Sequence, residues 1–164
     1  MTMNTLLDAL KAFSEAAVKD LLLPVAPQED DDGQRYRAAE IHKMRLPDAS
    51  SAKKKTPYII HQVVTSKTVQ PPGERFPVTS TVIRSVFAVY GTDEQEGALS
   101  LLNLMDRLQI EMERQVVIGE QFQLDLNAGI ETMVYPENTA PYFIGEMSTT
   151  WNHRAVRREV SAWP

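Results

Sequence analysis

The chain has 164 residues, 43% hydrophobic and 24% charged, the balance of one folded domain and too apolar for a disordered chain. Its 17 Lys and Arg against 22 Asp and Glu give a formal charge of −5, which argues against general binding to nucleic-acid phosphates. With no cysteine, disulfides, thiol catalysis and thiolate metal centres are excluded; no apolar run nears the roughly 20 residues of a bilayer span, and Met1 to Leu10 lacks the basic opening of a secretory signal.

The first element predicted is a helix. Leu6, Leu10, Phe13, Ala17 and Leu21 recur at helical spacing, Asn4 can cap the start, and Pro24 should end it. Residues 28–57 read as a polar, loop-rich segment. It opens on Gln28 to Gly33, crosses a strand-like alternation from Ala39 to Leu46, and ends in a solvated loop, Asp48 to Thr56, with three consecutive lysines. Tyr58 to Val69 is a strand rich in β-branched residues, and Pro71-Pro72-Gly73 cannot continue a ladder. Val78 to Tyr90 then makes a second long strand, apolar on both parities toward its end, as for a strand covered on both faces. The pair reads as an antiparallel hairpin with a projecting tip, Gln70 to Phe76.

Thr92 to Gln95 reads as a capping box, with acids in the first turn that suit the helix dipole. Leu101, Met105, Leu108 and Met112 form the apolar stripe of the helix that follows, and Gly119 is the expected stop. Ile130 to Tyr135 and Tyr142 to Trp151 return to strands, the second with Phe143, Met147 and Trp151 on one face. Residues 154–164 form a basic tail. The sum over 1–164 is a single α+β domain: an antiparallel sheet with a long β-hairpin and two amphipathic helices packed on one face.

A search for chemistry finds no catalytic or metal motif. His42, His61 and His153 are not spaced as local metal ligands, no glycine-rich phosphate loop is present, and the acidic run at Asp30 to Asp32 lacks the alternation of a calcium loop. Charge is segregated instead. Arg35 to Lys55 holds seven basic residues against two acidic ones, and Asp93 to Arg114 six acidic against two basic. Such patches are either solvated faces of a monomer or opposite-sign surfaces that meet across subunit or partner interfaces, where complementarity sets register and orientation. The candidate interface residues are Lys53, Lys54 and Lys55 in the basic loop, Gln70, Gly73 and Arg75 at the hairpin tip, Asp93 and Glu94 at the acidic helix start, and Arg154, Arg157 and Arg158 in the tail.

From Tyr90 to Arg154 the chain resembles the tail terminator (tail-completion) proteins of long-tailed bacteriophages. The resemblance rests on Gly91, Thr92 and Asp93 opening an amphipathic helix, on the strand Ile130 to Tyr135, and on Pro141, Tyr142, Phe143, Ile144, Gly145 and Glu146 leading into the strand that ends at Trp151. The N-terminal helix and the long hairpin before this block follow the same order of elements. The resemblance implies a structural virion protein of the tail or neck: a homo-oligomeric ring, usually of six. Such a ring caps the tail tube protein, stops tail polymerisation and presents its other face to head-side neck or connector proteins. It implies no turnover, no cofactor and no membrane, with DNA only passing through the ring's lumen. Two readings compete within other classes: a small metal-dependent enzyme using the three histidines, and a non-viral interaction domain. A head–tail connector or minor tail protein is the nearest alternative.

Overall fold

A computed structural model describes residues 2–28, 33–47, 52–53, 55–136 and 139–155. The first helix, α1 (Met3–Val18), is capped by Thr2 and not by Asn4: the Thr2 hydroxyl accepts from the Thr5 amide, and the Thr5 hydroxyl accepts from the Thr2 amide at 2.7 Å. It also stops sooner than the apolar period suggests. Leu23–Pro24 leaves the helix as a short strand, β1, paired with β2 (Tyr36–Arg37). The buried side of α1 is Leu6, Leu7, Leu10, Ser14 and Val18, while Phe13, Ala17 and Leu21 are only half-buried at its margin.

The main sheet is built on β4 (Tyr58–Val69) and β5 (Val78–Tyr90), an antiparallel hairpin with the expected bounds. On its far side β5 pairs along its whole length with β9 (Tyr142–Arg154), from Val78 opposite Arg154 to Tyr90 opposite Tyr142. The hairpin tip therefore does not project as a free finger, because β9 braces β5 to its first residue. The outer edge of β9 is shared by β8 (Glu131–Val134) and by β7 (Phe122–Leu124), which β6 (Val117–Ile118) extends.

At the opposite edge β3 (Glu40–Lys43) lies parallel to the start of β4. The sheet is thus mixed and not the expected all-antiparallel one. The chain between β3 and β4 crosses back before re-entering the sheet, and Arg37 fixes that return by donating to the carbonyls of Pro57 and Lys55.

Helix α2 (Glu94–Gln115) is capped by Asp93, whose carboxylate accepts from the Glu96 amide at 2.9 Å; Thr92 stays outside the helix. It ends at Gln115, before Gly119, with Val116 at φ 63°. Leu101, Leu104, Met105, Leu108 and Met112 face the core that α1 also joins, over Ile59, Ile83, Phe87, Met147 and Trp151 of the sheet. A second, smaller cluster on the other side of the sheet joins Tyr58, Ile60 and Ala88 to Leu46, Val86 and Ile144. This covers β5 on both faces at its end, as its two apolar parities require.

The start of α2 sits close to the sheet because Gly97 has no side chain: a Cβ there would come within 2.2 Å of the Phe143 ring. Replacing Gly97 by alanine gains helix propensity of about 1 kcal/mol but forces the ring aside. The expected balance is a net loss of about 2 kcal/mol, read as a fall of about 4–8 °C in Tm. An unchanged Tm would show that the ring can swing away freely.

Candidate assembly interface

The strand registers give the molecule two ends. Tyr58, Tyr90 and Tyr142 mark one end; Val69, Val78 and Arg154 mark the other, thirteen residues of β5 away, or about 40 Å. The predicted interface residues divide between them.

At the tip end, Pro71 to Glu74 form the turn, closed by the Glu74 amide donating to the Pro71 carbonyl at 3.1 Å. Gly73 takes φ 81°, the left-handed geometry that favours glycine, and the Gln70 side-chain amide donates to the Glu74 carbonyl. Arg75 and Arg154 converge here on one ring: their guanidinium carbons lie 5.5 and 5.6 Å from the centroid of Phe76. Neither arginine has an ion-pair partner among the described residues. Two exposed like charges on one ring repel each other, and an anionic surface placed against them relieves that repulsion. Phe76 was not singled out in the sequence; the Arg-Phe-Pro run opening β5 was its signal.

At the other end, Lys53 lies 5.5 Å above the Tyr142 ring and its carbonyl accepts from the Thr56 hydroxyl at 2.9 Å. Lys55 is half-buried and held by Arg37 through its carbonyl. Lys53 is exposed, as a solvated loop requires, yet both lysines are tied to the fold by these contacts. Asp93 and Glu94 lie just past Tyr90, so the acidic start of α2 shares this end with Lys53. Part of the Asp93 charge is taken up in capping the helix. Lys54, Arg157 and Arg158 lie outside the described residues.

Between the ends, the sheet face away from the helices carries a polar row across four strands. Arg84 donates to the Gln62 side chain at 2.8 and 2.9 Å, and the Tyr135 hydroxyl donates to the Glu146 carboxylate, which holds the phenol above its usual pKa. Beside this row runs an open groove of about 300 Å³ lined by Val64, Val82, Glu131, Met133 and Ser148.

The three histidines are far apart in role. His61 is fully buried between Ser14 and Ser85, each at 2.8 Å. His42 meets Tyr58 edge-on beside Glu40, and His153 meets Phe122 edge-on. Among the described residues no three His, Asp or Glu side chains converge as metal ligands, and no helix is long and apolar enough to cross a membrane. No protein-family model matches the chain, and no curated protein matches it.

Proposed function

We propose that the chain is a structural subunit of a long phage-type tail: a tail terminator that forms a ring on the end of the tail tube, arrests tube growth and offers its other face to the neck. The observation that carries this reading is the chemical difference between the two ends of the β4–β5–β9 platform. One end presents Arg75 and Arg154 stacked on Phe76; the other, about 40 Å away, presents the acidic start of α2 beside Lys53. A subunit with two unlike ends suits a place between two unlike partners, where charge complementarity sets orientation. The role is one of assembly and involves no turnover, metal or cofactor.

The tip end is assigned to the tube. Replacing Arg75 and Arg154 together by alanine removes two exposed anchors, each worth about 1–2 kcal/mol, so capping of purified tail tubes should weaken about thirty- to a thousandfold with Tm unchanged. Tube binding is read by co-sedimentation and tube length by negative-stain microscopy. Wild-type protein that neither binds tubes nor limits their length would overturn the reading. Capture of a portal-side protein in place of the tube protein would move the chain to a head–tail connector.

A further inference from the structure

Six consecutive residues of β4, Val64 to Val69, are exposed, and no strand among the described residues pairs with their outer edge, because β3 covers only Tyr58 to His61. Val-Thr-Ser-Lys-Thr-Val is rich in β-formers and holds a single charge. An edge this long and this poorly guarded invites strand addition, which folded proteins otherwise prevent with short edges, proline or clustered charge. Across the sheet, β8 is a second open edge. All four of its residues are exposed, and among the described residues only β9 pairs with it.

We infer that these two edges are made for each other: β4 of one copy pairs with β8 of the next, which joins the sheets of successive subunits. The inference rests on reading the chain as a ring subunit, and it names the interface. Strand direction agrees. β4 is antiparallel to β5, β5 to β9 and β9 to β8, so in copies related by rotation about an axis along the strands β8 meets the neighbour's β4 antiparallel.

Register agrees as well. Placing Lys67 opposite Glu131 sets Ser66 against Thr132 and Thr65 against Met133, up to the bulge between Val63 and Thr65. Lys67 and Thr65 pair within their own sheet with Ser80 and Val82; Glu131 and Met133 pair with Ser148 and Glu146. Through β5 and β9 those partners belong to one face of the sheet, the face with the polar row, so these two pairs each join side chains of the same face. Neither Lys67 nor Glu131 has an ion-pair partner among the described residues.

Because β3 occupies the first residues of β4, the neighbour's β8 sits about four residues, or about 13 Å, further toward the tip than the subunit's own β8. A constant stagger of this kind is what closes a tilted sheet on itself. The contact is heterologous, one edge meeting a different edge, so repetition gives a ring when the rotation closes.

The absence of native cysteine makes the test direct. Ser66→Cys and Thr132→Cys in one chain stand three strand spacings apart, about 14 Å, too far for a bond within the subunit. After mild oxidation, the double variant should give a ladder of covalent multimers on denaturing gels, and each single variant none. Multimers from Ser66→Cys alone would mean that β4 pairs with β4 about a two-fold axis, and would overturn the inference. So would the absence of any cross-link in a sample that light scattering shows to be oligomeric, a result that leaves the ring reading standing on another interface. A monomer at every concentration, without cross-links, would overturn self-pairing altogether, and the tube-capping assay then judges the function separately. As a second measure, Lys67→Glu should weaken assembly about three- to tenfold, and adding Glu131→Lys should restore it; no restoration would refute the proposed register.

Discussion

Replacing His61 by alanine should cost about 4 kcal/mol at pH 7, and most of that cost should disappear by pH 4.5. The imidazole is fully buried among α1, β4 and β5, with one ring nitrogen 2.8 Å from the Ser14 hydroxyl and the other 2.8 Å from that of Ser85. A neutral ring has one donor and one acceptor, so one serine donates to it and the other accepts from it. Truncation opens a cavity and strands two buried hydroxyls, each of which carries a penalty of about 1–3 kcal/mol when unpaired. Removing the hydroxyls too, with Ser14→Ala and Ser85→Ala, should recover part of the loss, since replacing all partners of a polar contact costs less than orphaning them.

The pH dependence follows from the same burial, which lowers the His61 pKa from 6.5 to about 4. Above pH 6.5 the ring is neutral in both the folded and the unfolded chain, and it contributes no pH dependence. Between pH 6.5 and 4 the unfolded chain takes up a proton that the folded chain refuses, so stability falls as pH falls. The total is about 3 kcal/mol across that window, levelling off below pH 4 where both states are protonated. Carboxylates titrate in the same range, but they are common to wild type and variant. The difference between the two isolates His61. Urea unfolding at pH 7 and pH 4.5 reads it, and a gap that stays constant between these values would show that the folded chain accommodates the imidazolium.

This network shows where the sequence stops being legible. The hairpin strands could be read to the residue, because β-branched runs on either side of Pro71-Pro72-Gly73 leave no competing element. The stripe of α2 was equally plain, since Leu101, Met105, Leu108 and Met112 have only one way to be buried together. The N-terminal cap of α1 was misplaced by two residues because Thr2, Asn4 and Thr5 all have capping side chains, and only the reciprocal Thr2–Thr5 bonds decide among them. The parallel strand β3 was illegible as such: four residues with one fully buried aliphatic, Ile41, give no direction.

The candidate interface residues were legible as a set of charges and not as an arrangement. Arg75 and Arg154 are distant in sequence, and it is the register of Val78 against Arg154 that brings both to Phe76. The open edges carried no sequence signal at all, since an unpaired strand and a paired one are written in the same β-forming residues. Only the shortness of β3 exposes the outer edge of β4.

Replacing Trp151 by alanine should cost about 4 kcal/mol, or about 8–16 °C in Tm, and should loosen the tip end of the molecule more than the other. Trp151 is completely buried, and its indole N–H donates to the Thr149 hydroxyl at 3.0 Å, so its polar atom is satisfied within the core. Its backbone lies between Thr81 of β5 and Leu124 of β7, which makes it the residue at which β7 is fastened to the platform. With the indole gone, the largest side chain of the core leaves a void beside β7, which only two ladder positions tie to β9. Amide hydrogen exchange should therefore speed up first in Phe122 to Leu124 and in Trp151 to Arg154, while Tyr58 to Ile60 and Phe87 to Tyr90, buried at the other end, keep most of their protection. Uniform loss of protection would instead mean that the platform opens as one unit. Because Arg154 ends the strand that Trp151 anchors, the variant should also lose tube capping at temperatures where it is still folded. Capping that persists up to the variant's own Tm would show that Arg75 and Phe76 suffice without a fixed Arg154.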